Sequence, residues 1–488
     1  MFINAIAAAR FGMSMTLGRP FHRRSLDRLI EGMRAALEEF GEIRDDDNVL
    51  AGAALDPGTR RLVQGRRLRA QAVRALETPY YGRLFDRLGL DPGELTAESI
   101  ATIPVTAKDT LREDPSAFVR RGGDPVHQCG TTGTTGRSTM IWLSDDELHL
   151  IASLSAITYF QSHMVRPDDR VLIAVSPRNR IAVHATAFAA TAVGASVDVT
   201  GMVEPEAMLA RLSAVQPIPG HKPRTSVLTA HPSYLAALVE TAEALGRTPA
   251  DFGLERVIVG GELLTTGLRR RAARLFGDAE ILENYALTEL VPFAAGRCER
   301  SHYHFEPATC LVEALDLDDG RPAAGGAPGT LVGTPLPPFR DTTVLLRYDT
   351  EDVVRLLDGP ADCAMGNLPA VAELLGKRRH AVRHEHGWTF ARPVAEALEA
   401  LDAVPLPARY GMRATTGGVA VEAVVRSADA AARAKVEAAL ADRGVPLAGL
   451  RLVTDPDDLR SPLPLRCDLR EGDFAARRAL VPAGGPRP

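Results

Sequence analysis

The period of the apolar positions changes several times along the chain. Over residues 60–90, Leu62, Leu68, Val73, Leu76, Leu84 and Leu88 recur near the helical period, which predicts helix. Between residues 170 and 290, short apolar runs at 171–175, 226–229, 257–259 and 281–285 alternate with helical stretches at 234–245 and 268–276. That alternation predicts βαβ units around a largely parallel sheet, whose ligands sit in loops beyond the carboxyl ends of the strands. Residues 329–357 read as extended, with a strand at 344–348 that breaks at Asp349, and the Gly/Pro/Asp-rich segment 358–369 interrupts the pattern. After Gly376 come a helix at 393–401, an alternating segment at 419–425, an Ala-rich helix at 428–440 and an apolar run at 450–453. The expected architecture is α/β: a large, multi-layered N-terminal domain with mostly parallel sheets over residues 1–375, and a small α+β C-terminal domain over 376–488. The tail from Pro482 is Pro/Gly-rich and expected to be loose.

Composition narrows the class. The chain has 488 residues, 45% hydrophobic and 24% charged, which suits a core-forming globular protein and excludes collagen-like or wholly disordered chains. The net charge of -5, with Arg scattered among acids, offers no general nucleic-acid surface, so a small-molecule partner is expected. Five Cys over this length suit thiols or a metal in a reducing compartment better than a disulfide framework. With no secretory signal and no long apolar span, a cytoplasmic protein without a membrane partner is expected. Lysine is scarce: only Lys108, Lys222, Lys377 and Lys435 stand against 53 Arg.

The densest chemical signal is Cys129-Gly-Thr-Thr-Gly-Thr-Thr-Gly-Arg-Ser-Thr139. Its glycines permit close backbone approach, and its hydroxyls and N–H groups can surround an anion. It is not a Walker A loop, because no Lys follows Gly136. Taken alone, such a string can also be a flexible polar loop.

Four motifs in order give the string a context. Thr131 to Thr139 resembles the phosphate loop of the AMP-forming adenylate-forming enzymes. Val259-Gly-Gly-Glu262 resembles their Gly-Ala-Glu segment, Tyr285-Ala-Leu-Thr-Glu289 their Tyr-Gly-x-Thr-Glu motif, and Tyr348-Asp-Thr-Glu-Asp352-Val-Val-Arg355 their Tyr-x-Thr-Gly-Asp-x-x-Arg. Ile103-Pro-Val-Thr-Ala-Lys-Asp-Thr-Leu-Arg112 and His231-Pro-Ser-Tyr234 are similar to segments of phenylacetate-CoA ligase, and the resemblance spans residues 62–400. It implies the adenylate-forming enzyme fold and activation of a small acid, aromatic by resemblance, as an acyl adenylate with release of pyrophosphate.

Site roles follow from the same resemblance. Thr131, Thr132, Gly133, Thr134, Thr135 and Gly136 would hold the β- and γ-phosphates of ATP, with Gly260, Gly261, Glu262, Tyr285 and Ala286 around the nucleotide. Thr288 would donate to the α-phosphate and Glu289 would carry Mg²⁺, while Asp352 would take the ribose hydroxyls with Arg355 and Lys377 beside the nucleotide. The bland alternatives are a capping Thr288/Glu289 pair and a strand-edge Asp352/Arg355 ion pair. Trp142, His184 and Tyr234 are candidate walls of an acid pocket, or plain core, and Arg178 or Arg180 could meet a polar substituent. The resemblance also implies a structural zinc site from Cys298 and His304, six residues on, with Cys363 and, as fourth ligand, Cys310; His302 rivals His304, and buried thiols with a surface His are the alternative.

Several positions depart from the family. Glu351 stands where the family has Gly, Lys377 where it has Arg, and Arg379 in place of the hinge acid, within a segment Gly376 to Arg379 expected to pivot. No Lys follows Lys435, although the family uses a C-terminal catalytic lysine, so Arg466 and Arg470 become candidates for its role. These changes leave the acceptor open between CoA, an amine and another small nucleophile of specialised metabolism. They also leave open a non-catalytic nucleotide- or acid-binding protein. A homodimer is expected from resemblance alone.

Overall fold

A computed structural model describes residues 2–41, 56–131 and 138–465. Among them the chain forms two compact units, one of residues 1–168, 178–197 and 283–378, the other of 169–177, 198–282 and 379–488. Each is built from separated stretches of sequence, so its chemistry is assembled by long-range pairing.

In the first unit a run of strands is joined antiparallel. Cys310–Leu315 pairs with Pro328–Pro335, which pairs with Tyr348–Leu356, then Ala370–Lys377, then Tyr303–Phe305, then Ala294–Arg297, which meets residues 284–286. Helices Phe2–Leu17, Arg23–Phe40, Asp145–Ser162 and Arg180–Val193 belong to the same unit, and Asp145–Ser162 opens on a capping box between Ser144 and Glu147. The strand expected at 344–348 is displaced. Val344, Leu345 and Leu346 are buried but irregular, Arg347 turns the chain at φ +46°, and the strand runs Tyr348–Leu356 through Asp349. The helix expected over 60–90 divides into Pro57–Ala75 and Pro79–Leu88, the second opened by the Thr78 side chain capping Tyr81 N. Its buried positions are Leu68, Ala72, Ala75, Tyr81, Leu84 and Phe85, whereas Leu62, Val73 and Leu88 lie on the exposed side.

The second unit carries the parallel pairing that the alternating pattern predicts. Arg170–Ala174 pairs with Val227–Ala230, and Val227–Ala230 with Arg256–Gly260. Helices Pro205–Ser213, Pro232–Ala244 and Thr266–Leu275 pack their apolar faces, including Leu209, Leu235, Leu238, Leu268 and Ala272, into one core with these strands. Among the described residues, parallel order recurs only between Gly418–Val424 and Leu447–Val453 and at the Thr106–Tyr348 bridge, and the remaining pairing is more antiparallel than the sequence pattern suggested. In the same unit, residues 379–463 form a three-stranded sheet, Tyr410–Thr415, Gly418–Val424 and Leu447–Val453, covered by helices Ala391–Glu399 and Ala430–Asp442. No described helix is long and apolar enough to cross a membrane.

Candidate active site

The strand Tyr348–Leu356 organises the site. Thr106 zips onto it, donating from its N to Arg347 O and accepting from Asp349 N, which sets Lys108, two residues further, against Glu289. Glu289 follows the strand that ends at Ala286 and sits in the turn at 288–290, with its side chain fully buried. Lys108 Nζ lies 2.8 Å from Glu289 Oε1, and the Tyr348 hydroxyl donates to the same oxygen at 2.9 Å. Glu289 Oε2 is buried without a hydrogen-bond partner among the described residues. Burial pushes the Glu289 carboxyl up, but the Lys108 ammonium, assisted by Lys377, outweighs it and holds the group down at about 2.

Asp352 is the second carboxylate. Its Oδ1 receives Lys377 Nζ at 2.7 Å, its Oδ2 receives the Tyr285 hydroxyl at 3.0 Å, and its backbone N donates to Thr350 Oγ1. Asp352 and Lys377 are cross-strand partners in the sheet register, which explains the contact. Burial lowers the Lys377 ammonium, with Asp352 opposing that and Lys108 adding to it. Burial raises the phenols of Tyr285 and Tyr348, and their carboxylate partners Asp352 and Glu289 raise them further. Two of the four lysines therefore meet two carboxylates and two neutral phenols in one array, buried around Glu289 and half-buried at Asp352 and Lys377.

The structure gathers Glu289, Tyr285, Asp352 and Lys377 from the sequence expectation and adds Lys108, which sequence reasoning left outside the site. Thr288 is half-buried in the turn beside Glu289, and Ala286 is exposed at the strand end. Arg355 is not brought into the array; its guanidinium donates to Gly326 O and stands 4.0 Å from Glu373. Thr131 pins the base of the Thr/Gly loop, donating from N to Thr139 O and accepting Thr139 N on its hydroxyl. Thr132, Gly133, Thr134, Thr135 and Gly136 lie outside the described residues, as do Arg466 and Arg470. In the second unit, Gly260 O accepts from His231 Nδ1, Glu262 Oε2 accepts from Ser233 N, and Gly261 adopts φ +87°. Tyr234 is wholly buried there with its hydroxyl donating to Val203 O, the behaviour of a core tyrosine rather than a pocket wall. Trp142 is held by paired bonds between its backbone and the Thr343 hydroxyl, and His184 is exposed on helix Arg180–Val193.

A second cluster unites Cys298, His302, His304 and Cys363, whose ligand atoms all lie within 4.8 Å of one another. The first three come from one hairpin: Cys298 N donates to His302 O, Ser301 makes the turn at φ +69°, and His304 sits opposite Gly296. Cys363 arrives from the irregular segment before strand Ala370–Lys377, its sulfur 3.2 Å from His304 Nε2. Cys310 is not part of it. That thiol is fully buried at the start of its own strand, bonded to Leu311 O and raised by burial, and the fourth member of the cluster is His302.

With this geometry in place, the comparisons decide the family. The sequence profile of the AMP-binding enzyme family matches residues 85–333. The chain belongs to the AMP-binding enzyme family. Within that adenylate-forming superfamily it resembles phenylacetate-CoA ligases. It is 28% identical to "Phenylacetate-coenzyme A ligase" of Thermus thermophilus over 329 residues, 62% of this chain and 67% of that protein. It is 27% identical to the protein of the same name from Aromatoleum evansii, over 61% of this chain and 66% of that one. The chain thus spans about two thirds of the length of each. Among solved structures, 2-hydroxyisobutyryl-CoA ligase in its postadenylation state superposes with TM-score 0.70 at 19% identity, covering 88% of this chain and 93% of that one. An open conformation of the same ligase gives 0.61. At that identity the likeness is one of fold.

Proposed function

We propose that this protein is an ATP-dependent, AMP-forming acid ligase. It joins a small carboxylic acid to the α-phosphate of ATP, expelling pyrophosphate, and then passes the acyl group to an acceptor, CoA in the first instance. The observation that carries this reading is Glu289: a carboxylate kept ionised in a buried site, with one oxygen held by Lys108 and Tyr348 and the other, Oε2, without a partner among the described residues. A buried anionic oxygen left open is costly unless a cation completes it, and Mg²⁺ takes one or two carboxylates plus phosphate oxygens. Bound there, Mg²⁺ would neutralise phosphate charge as pyrophosphate leaves.

The chain's own residues account for the rest. Each carboxylate oxygen of Asp352 accepts more than one donor, so the ribose hydroxyls can bind while Lys377 and Tyr285 keep it oriented. Lys108 and Lys377 place positive charge in a dry site where two anions, a carboxylate and a phosphate, must approach. The names of the two relatives support CoA as acceptor and an aromatic acid as substrate. Glu351, Lys377 and Arg379, which depart from the family's motifs, keep an amine acceptor within the reading. The Cys298, His302, His304 and Cys363 cluster offers the N/S donor set of a closed, structural zinc site, and we propose that it holds zinc as a staple of the hairpin.

Isotope exchange between ATP and pyrophosphate, driven by a panel of small acids, tests the activity. The expected result is acid-dependent exchange that falls about 10²-fold or more in Glu289→Gln. Absence of exchange with every acid, in folded protein that binds ATP, refutes it.

A further inference from the structure

Away from the carboxylate array, three histidines and two arginines converge in the first unit. Arg180 opens helix Arg180–Val193 and donates from Nη2 to His127 Nδ1 at 2.9 Å. His127 Nε2 lies 3.1 Å from Asp145 Oδ1, and Arg23 Nη1 takes Asp145 Oδ2 at 2.5 Å. Arginine has no acceptor, so His127 Nδ1 must be the unprotonated nitrogen and its Nε2–H donates to Asp145. One turn on from Arg180 stands His184, then Phe188, whose ring meets His184 at 6.4 Å and His149 edge-on at 5.7 Å. His149 in turn lies 2.8 Å from Asp27.

The charges in this group are unevenly matched. Asp145 is neutralised by Arg23, and Asp27 faces His149, but the direct partner of Arg180 is a neutral imidazole. An exposed guanidinium that is oriented by a neutral acceptor keeps both its charge and its remaining N–H groups for another anion. Its brace, His127, lies on the strand His127–Gly130 that leads directly to Thr131, so the arginine is fixed to the same strand that carries Thr131.

We propose that Arg180, braced by His127 and flanked by His184, is an anion-recognition point that selects carboxylic acids carrying a second anionic group. This rests on the acid-ligase reading above. The reacting carboxylate goes to the α-phosphate, and the distal anion meets the guanidinium, beside an aromatic and imidazole surface that suits a planar spacer. Partial desolvation disfavours the His184 imidazolium although the ring is largely exposed, and the Arg180 charge disfavours it further. His127 acts through Arg180 and is a positioning residue.

The test compares matched acids, benzoate against terephthalate and propionate against succinate, in pyrophosphate exchange without CoA. Wild-type protein should favour the dianionic member of at least one pair in kcat/KM. Arg180→Met should reduce that preference by about tenfold or more, Arg180→Lys by less, and His127→Gln should shift it the same way. Full-length folded protein, checked by thermal melting, is used throughout. A wild-type preference for the monoanionic members overturns the inference, as does an equal loss for both members in Arg180→Met. So does an effect confined to the KM for CoA in the transfer assay, which would mark the anion as a CoA phosphate. Wild-type protein silent with every acid instead refutes the ligase reading itself.

Discussion

At the scale of single residues, the site is a balance of buried charges. Glu289 and Asp352 were legible in the sequence because each lies inside a short motif whose residue order is itself the signal. Lys108 was not, since it reaches Glu289 only through the pairing of Thr106 with the strand that begins at Tyr348. Scarcity pointed toward it without placing it. The Lys108–Glu289 pair makes a pH prediction. The carboxyl sits at about 2 in the folded protein against an ordinary value of 4.5, so the stability it contributes is fully present above 4.5 and is lost as pH falls from there toward 2. Chemical denaturation of wild type and Glu289→Gln should show a gap of about 3–5 kcal/mol near neutrality, because the variant strands a buried ammonium. That gap should narrow below pH 4.5, and a gap independent of pH would mean the pair is not ionised as described.

At the scale of elements, sequence reading followed apolar runs, and this is where it strayed. Val344 to Leu346 form the more hydrophobic string, yet the regular strand is the stretch that follows, which is paired on both sides, with Pro328–Pro335 and Ala370–Lys377. Functional strands break the simple alternation by carrying charged groups inward. Glu351 shows a related conflict: it occupies φ +61°, a left-handed conformation that favours glycine, at the position the family gives to Gly. The Cys/His cluster turned on an element too. The resemblance gave Cys298, His304 and Cys363 with Cys310 as fourth ligand and His302 as a rival to His304, whereas the hairpin turn at Ser301 brings both histidines into one cluster that leaves Cys310 out. Purified protein should therefore contain about one zinc per chain, lost in Cys298→Ser and His302→Gln and kept in Cys310→Ala. Chelation should lower the melting temperature of the wild type. Metal analysis that finds no zinc, or loss in Cys310→Ala alone, removes the assignment.

At the scale of the whole molecule, one of the boundaries between the two units falls between Arg378 and Arg379, within the segment that the family resemblance implies is a hinge. We propose that residues beyond this point take two arrangements, one for adenylate formation and one for transfer, as a two-step reaction at one nucleotide requires. Within its unit, the C-terminal part is fastened in one way. Glu399 Oε2 meets the Thr265 hydroxyl at 2.5 Å, Glu396 Oε2 accepts Thr266 N at 3.0 Å, and Gly267 packs so closely that a Cβ there would lie 2.3 Å from Glu399 O. These contacts hold helix Ala391–Glu399 to helix Thr266–Leu275, and a pivot of residues 376–488 must break them. Gly267→Ala should thus penalise the fastened arrangement alone, by about 1–3 kcal/mol of overpacking. If the pivot exists, the ratio of pyrophosphate exchange to acyl transfer should move by about threefold or more. If both rates fall together in proportion to lost stability, the contact is only structural and the two-arrangement proposal fails.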